Sequence, residues 1–342
     1  MKRFAAVLLI AAALHGFGPS SAANAGDGVV VSIKPVHSLV AAIMHGAGTP
    51  HLIVSGNASP HVYAMRPSDA RALEKAKLVF WVGPGLETFL AEPLRNVAGK
   101  AVIVALAETS GLERLAFREG GPWEAQGQAP GRQHGEHQAE REDRHPGAKP
   151  EPTQKYRDGR AGHGRHDRHA FDMHFWLDPK NAELMAGEIV TALAAIDPAR
   201  SALYAANGEA LKAKLAQLTG DLNTELSPVR DKPFIVFHDA YHYFEKRFGL
   251  TAGGSITVSP VRQPGAQRLT RIRHKIKSLG ATCVFAEPQF PPRLLQTAVE
   301  GTKANVGTLD PLGADLEAGP ELYFELMRRN AKALRDCLSK GS

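Results

Sequence analysis

Short runs of β-branched and aromatic residues alternate along this chain with stretches whose apolar positions recur at helical spacing. Val29, Val30, Val31 and Ile33 form the first run, which ends at Lys34-Pro35; Val36, Leu39, Val40 and Ile43 then fall on one helical face. Further strands are predicted over 52–54, 78–83, 101–104 and 175–177, with helices over 69–77, near 86–90 and over 181–195; Ser68 stands where it could cap the first of these. A long Ala/Leu/Lys/Glu pattern follows over 198–226, with Leu211, Leu215, Leu218 and Leu222 in register. Beyond it the alternation resumes. Strands are predicted over 233–237, 282–286 and 306–310, and helices over 268–279, 292–305 and 322–337. Alternating strands and helices imply mainly parallel sheets with right-handed crossovers. The predicted fold class is therefore α/β, with two lobes of mainly parallel sheet joined by one long helix and a ligand in the cleft between them. The expected organisation is an N-terminal lobe over 26–196, a linking helix over 197–228 and a C-terminal lobe over 229–342.

One stretch, 118–172, breaks the pattern. It lacks hydrophobic periodicity, is dense in Gly, Pro, Arg and Glu, and carries His134, His137, His145, His163, His166 and His169. Such a segment cannot bury enough apolar surface to offset its ordering entropy, so it should be disordered. A structureless insertion this long inside a folded chain is usually functional, and neutral imidazole is a common ligand for zinc, copper and nickel. The plain alternative is a solvated low-complexity linker. As an accessory metal collector, each ion there would be held by few ligands on mobile chain, more weakly than in a preorganised cleft.

The first residues read as an export signal. Lys2 and Arg3 precede an apolar run over 4–14, too short to span a bilayer, and Ala23-Asn24-Ala25 fits a cleavage site. Residues 1–25 are thus expected to be removed, which deletes two basic residues and no acid and lowers the net charge from +6 to +4. Both signs are mixed along the chain and no nucleic-acid-reading module is visible, so nucleic acid is not an expected partner. The two cysteines, Cys283 and Cys337, would meet an oxidising compartment, where a lone pair forms a disulfide. Two cysteines far apart in sequence, without a third, make a poor metal site.

In parallel sheets, functional residues sit just beyond the carboxyl ends of strands. His61, His174, His238 and Asp310 all take such positions in this reading, and three imidazoles with a carboxylate make a tetrahedral zinc set. Their spacing alone is no fingerprint. Asp239 and Asp178 are candidates to orient ligand imidazoles, although Asp178 before Pro179 also suits a helix cap. Glu287 could support a ligand or be structural. His242, one helical turn beyond His238, could be a further ligand or lie at the surface.

The segments Ser59-Pro60-His61-Val62-Tyr63 with Arg66-Pro67-Ser68, His174-Phe175-Trp176-Leu177-Asp178-Pro179, Phe237-His238-Asp239-Ala240-Tyr241 and Gly307-Thr308-Leu309-Asp310-Pro311-Leu312-Gly313 resemble those of the solute-binding proteins of zinc-uptake ABC transporters, the ZnuA type. The resemblance covers essentially the whole mature chain. It implies that His61, His174 and His238 hold Zn²⁺ in the cleft and that Asp310 or water takes the fourth position. It also implies a rigid linking helix and a disulfide between Cys283 and Cys337. Pro60 stands where some zinc-binding members carry a glutamate ligand. Manganese-binding relatives replace the third histidine by a carboxylate, whereas a nitrogen-rich shell suits zinc. The implied role is a periplasmic, monomeric receptor that catalyses no reaction. It would hand its ion to a membrane permease, and a periplasmic zinc chaperone is a further candidate partner. The competing readings are a secreted zinc hydrolase with Glu287 as base, and a manganese receptor or adhesin on the same scaffold.

Overall fold

The computed structural model describes residues 28–118, 123, 171–257, 265–280 and 283–341. The predicted signal segment and all six histidines of the insertion lie outside these residues.

The first sheet is built from β1 (Val29–Ile33), β2 (His51–Val54), β3 (Leu78–Trp81) and β4 (Val102–Ala105), hydrogen-bonded in the order β2-β1-β3-β4 with every pair parallel. Helices α1 (Lys34–Ile43), α2 (Pro67–Glu74) and α3 (Ala91–Asn96) make the crossovers. β1 and β3 are buried along their whole length, as suits central parallel strands that are apolar apart from Ser32. After α4 (Pro179–Ile196) and α5 (Ser201–Leu226) the second sheet repeats the plan. It comprises β5 (Phe234–Val236), β6 (Ala252–Ser255), β7 (Cys283–Ala286) and β8 (Asn305–Thr308) in the order β6-β5-β7-β8, again all parallel. Helices α6 (His242–Phe248), α7 (Ala266–Leu279), α8 (Arg293–Val299) and α9 (Leu322–Leu338) accompany it. In both sheets the chain order reverses at the central pair, β1/β3 and β5/β7. That reversal opens a crevice beyond the carboxyl ends of the strands.

α5 buries Tyr204, Leu211, Leu215, Leu218, Leu222 and Leu226 against α4, α1 and α9. One apolar cluster runs through the first sheet, this helix and much of the second lobe, and a smaller one lies under α7 and α8. The Cys283–Cys337 disulfide ties β7 to the last turn of α9, with Cα atoms 6.1 Å apart.

Several local expectations change. Residues 175–177 are a 3₁₀ turn and not a strand. Asp178 caps α4 through the Lys180 amide and Pro179 opens that helix, so no length is left for sheet pairing. α2 starts at Pro67, with Asp69 accepting from the Arg66 amide, which puts Ser68 inside the helix and not at its cap. Residues 198–200 are a 3₁₀ turn leading into α5. α8 stops at Val299 because the chain turns at Gly301, where φ is +70°. β6 is a strand that hydrophobic pattern could not reveal. Its Gly253 has no side chain because a Cβ there would lie 2.2 Å from Leu279 of α7.

Candidate metal centre

Three imidazoles meet in the crevice. His238 leaves the carboxyl end of β5. His174 lies in the segment 171–178 that leads into α4. His61 lies on the loop between β2 and α2, where Tyr63 anchors the chain by donating to the Ile53 carbonyl and the Asp69 carboxylate. One ring nitrogen from each histidine falls within 4.8 Å of the other two. The Nε2 atoms of His174 and His238 are 3.4 Å apart. A tetrahedral zinc with bonds of about 2.0–2.1 Å needs nitrogens about 3.3–3.4 Å apart, so this pair already has the required spacing. His174 and His238 are buried and His61 is half-buried; Pro60, Trp176, Phe290, Pro311 and Leu312 wall the cavity with apolar surface.

Two buried carboxylates decide which nitrogen faces the cavity. Asp172 Oδ1 accepts from the His174 amide at 3.0 Å and from its Nδ1 at 2.7 Å. Glu287 Oε1 accepts from the His238 amide at 3.2 Å and from its Nδ1 at 2.7 Å. The same device thus serves both lobes. When ionised, these carboxylates can only accept, which places the ring proton on Nδ1 and leaves the Nε2 lone pair for a cation. Burial, then the neighbouring imidazoles, hold His61 well below its ordinary pKa; burial and His238 bring His174 down to about 3. Both are therefore neutral near pH 7. Burial also lowers the affinity of His238 for a proton, but the Glu287 charge and hydrogen bond outweigh it and leave its pKa raised. Burial raises Glu287 and takes Asp172 up to about 7.

Asp310 is not in this cluster. Its carboxylate accepts from the Leu312 and Ala314 amides and from Gln289 Nε2, while Asn330 brackets its backbone from α9. That makes it the cap of its own loop. Of the candidate orienting groups, Glu287 holds the His238 ring. Asp178 caps α4 and pairs with Arg247, and Asp239 pairs with Arg118. His242 opens α6 outside the cluster, with Nδ1 buried and without a hydrogen-bond partner among the described residues. Asp172 was not singled out from sequence. The available signal was its place two residues before His174, which the polar tract running up to it obscured.

Residues 29–337 match the family model described as the zinc-uptake complex component A, periplasmic, ZnuA. The chain is 51% identical to the high-affinity zinc uptake system protein ZnuA of Brucella suis over 340 residues, covering 99% of this chain and all of that protein. It is 36% identical to the protein of the same name from Yersinia pestis, covering 96% of each. A crystal structure of ZnuA superposes with a TM-score of 0.69 at 24% identity, over 91% of this chain and 98% of that one, which is a likeness of fold. With a match that spans nearly all of both lobes, and with sequence identity to the Brucella protein running end to end, this chain belongs to the ZnuA family.

Proposed function

We propose that this protein is the zinc-capturing subunit of an ABC transporter, working in the periplasm and delivering Zn²⁺ to a membrane permease. The observation that carries this is the convergence of three imidazole nitrogens, two of them fixed through Nδ1 by buried carboxylates. Three nitrogens and a water in the fourth position make a shell that suits zinc better than manganese. The family name borne by the Brucella and Yersinia relatives supports the same cargo. Among the described residues no helix is long and apolar enough to cross a membrane. A periplasmic chaperone is a candidate donor of zinc, and the receptor is read as a monomer. Against the hydrolase reading, Glu287 Oε1 is engaged by both the amide and the ring of His238, the geometry of a carboxylate that orients an imidazole.

The His-rich tract is read as an accessory collector. Calorimetric zinc titration tests this division of labour, comparing the mature chain with one in which residues 124–170 are replaced by a short Gly/Ser linker. One tight equivalent is expected in both, with additional weaker equivalents only when the tract is present. Loss of the tight equivalent from a folded deletion variant would show that the tract supplies a primary ligand.

The pH dependence follows from His238. Its raised pKa means that it keeps a proton to higher pH than a free imidazole, and zinc must displace that proton. Affinity should therefore be full at alkaline pH and fall as pH drops through this raised value, by about tenfold per unit below it. Glu287→Gln removes the charge that raises it, so the fall should begin at lower pH. The plateau affinity should also drop, by roughly 10–100-fold for loss of an orienting partner. Chelator-competition constants from pH 5 to 9 check this; an onset unmoved in Glu287→Gln would refute Glu287 as the charge partner.

A further inference from the structure

A zinc site needs His174 and His238 held at one spacing, and without an ion their Nε2 atoms stand 3.4 Å apart. The two rings also belong to different lobes. A restraint between the segments that carry them is needed, and Arg118 is built as one. Its Nε donates to both oxygens of Asp239 at 3.1 Å, and its Nη2 also reaches Asp239 Oδ1. Nη1 and Nη2 donate to Glu245 at 2.8 and 2.9 Å. The Trp123 ring covers the guanidinium, with its centroid 3.7 Å from Cζ. The Arg118 side chain is only 16% exposed, and the two carboxylates are more buried still.

What Arg118 joins is more telling than how tightly it is held. Asp239 directly follows His238, and the Ala240 amide closes a tight turn on the His238 carbonyl. Glu245 lies on α6, the helix that follows that turn, and also accepts from the Ala252 amide of β6. On the other lobe, Arg118 stands three residues after Leu115, whose carbonyl accepts from the Asp172 amide at 2.8 Å. Asp172 is the residue that fixes His174. Tyr243 of α6 braces the same junction, since its hydroxyl accepts from the Leu115 amide and donates to the Asp172 carbonyl. The path from one ligand to the other is therefore short and continuous: His238, Asp239, Arg118, the 115–118 segment, Asp172, His174. Only a guanidinium fork can serve two carboxylates at once in one plane; an ammonium cannot reproduce this.

We propose that Arg118 is a positioning residue that sets the spacing of His174 and His238 across the two lobes, and thereby the rate at which bound zinc leaves. This rests on the three-histidine reading of the site. It assigns Arg118 no contact with the ion. Because the brace acts after encounter, the effect should fall on the dissociation rate, with little change in association.

The test uses the full mature chain with Arg118→Met, Arg118→Lys and Asp239→Asn. Zinc release is followed by stopped flow into excess chelator, the Co²⁺-loaded forms are compared by their ligand-field spectra, and melting is measured without metal. Arg118→Met should release zinc at least tenfold faster and shift the cobalt bands. Arg118→Lys should fall between it and the wild type. Asp239→Asn should speed release by itself and add little on top of Arg118→Met, because both act through one contact. If Arg118→Met does not fold, Asp239→Asn, which leaves the Arg118–Glu245 pair in place, carries the same criterion. His174→Ala run in parallel separates the two levels: if it retains tight zinc, the three-histidine reading fails. If His174→Ala loses tight zinc while the brace variants keep the wild-type release rate and cobalt spectrum, merely melting earlier, Arg118 is structural only and the proposal is overturned.

Discussion

His174→Ala should lose zinc affinity by ~10³-fold, about 4 kcal/mol, while the metal-free protein stays folded. The size of the effect follows from what remains. His61 and His238 would be two nitrogens in a site wide enough for three, and the replacement methyl offers no donor. Water could complete the shell, but a buried imidazole that is already neutral and aimed binds far better than a water that must first be ordered. The fold should survive because the group left behind can neutralise itself. Asp172 is already raised by burial to about 7, and it still accepts from the amide of residue 174. With its ring partner gone it can take up a proton instead of remaining a stranded buried charge. The measurement is melting temperature with and without zinc. The wild type should gain stability as RT ln(1 + [Zn]/Kd), and the variant should lose nearly all of that gain. A zinc-dependent shift of wild-type size in His174→Ala would remove His174 from the site. His61→Ala should show the smaller loss of the two, since His61 is half-buried and solvent can take its place.

How far the sequence could be read depended on where each signal resides. Buried parallel strands announce themselves because both faces are covered, so runs such as Val29 to Ile33 stay apolar but for a single serine, Ser32. Helices α4, α5 and α9 show their spacing because each packs one stripe. The failures lie where tertiary contacts override local pattern. β6 is nearly featureless because it makes room for Leu279, and the 175–177 segment looks extended yet is buried as a 3₁₀ turn leading into a helix cap. At the candidate metal centre His238 was legible because it follows a strand end, and His61 and His174 because family-like motifs surround them. The groups that orient and restrain them were harder to see. Asp172, Glu287 and Arg118 act on ligands 2, 49 and 121 positions away in the chain, counting Arg118 to the Asp239 beside His238. Asp310 shows the reverse problem. It sits at a strand end in a distinctive motif, and the Leu312 and Ala314 amides explain that motif as loop capping.

Replacing both cysteines with alanine should lower the melting temperature markedly and leave zinc affinity within a few-fold of wild type. The bridge spans 54 positions, so in the chain-entropy model it removes ~4 kcal/mol of unfolded-state freedom. For a chain of this size that corresponds to roughly 5–10 °C. Affinity is spared because of where the sulfurs lie. Cys283 starts β7, paired with Phe234 and Asn305, whereas Glu287 follows the other end of the strand, about 13 Å further on at the usual rise. Cys337 is in the last turn of α9, about two turns beyond Asn330, the residue of that helix that brackets Asp310. The bridge thus fastens the end of the second lobe remote from the crevice. The near end has its own fastenings: Tyr323 donates to the Trp176 carbonyl, Trp176 Nε1 donates to the Pro311 carbonyl, and Lys34 Nζ donates to the carbonyls of Gly313, Ala314 and Leu316. Paired melting curves and competition titrations of the double variant separate the two effects. An unchanged melting temperature would show that the bridge adds no stability. A tenfold loss of zinc affinity in folded, metal-free-competent protein would show that strain at Cys283 does travel along β7 to Glu287, and that the two ends of the strand are not mechanically independent.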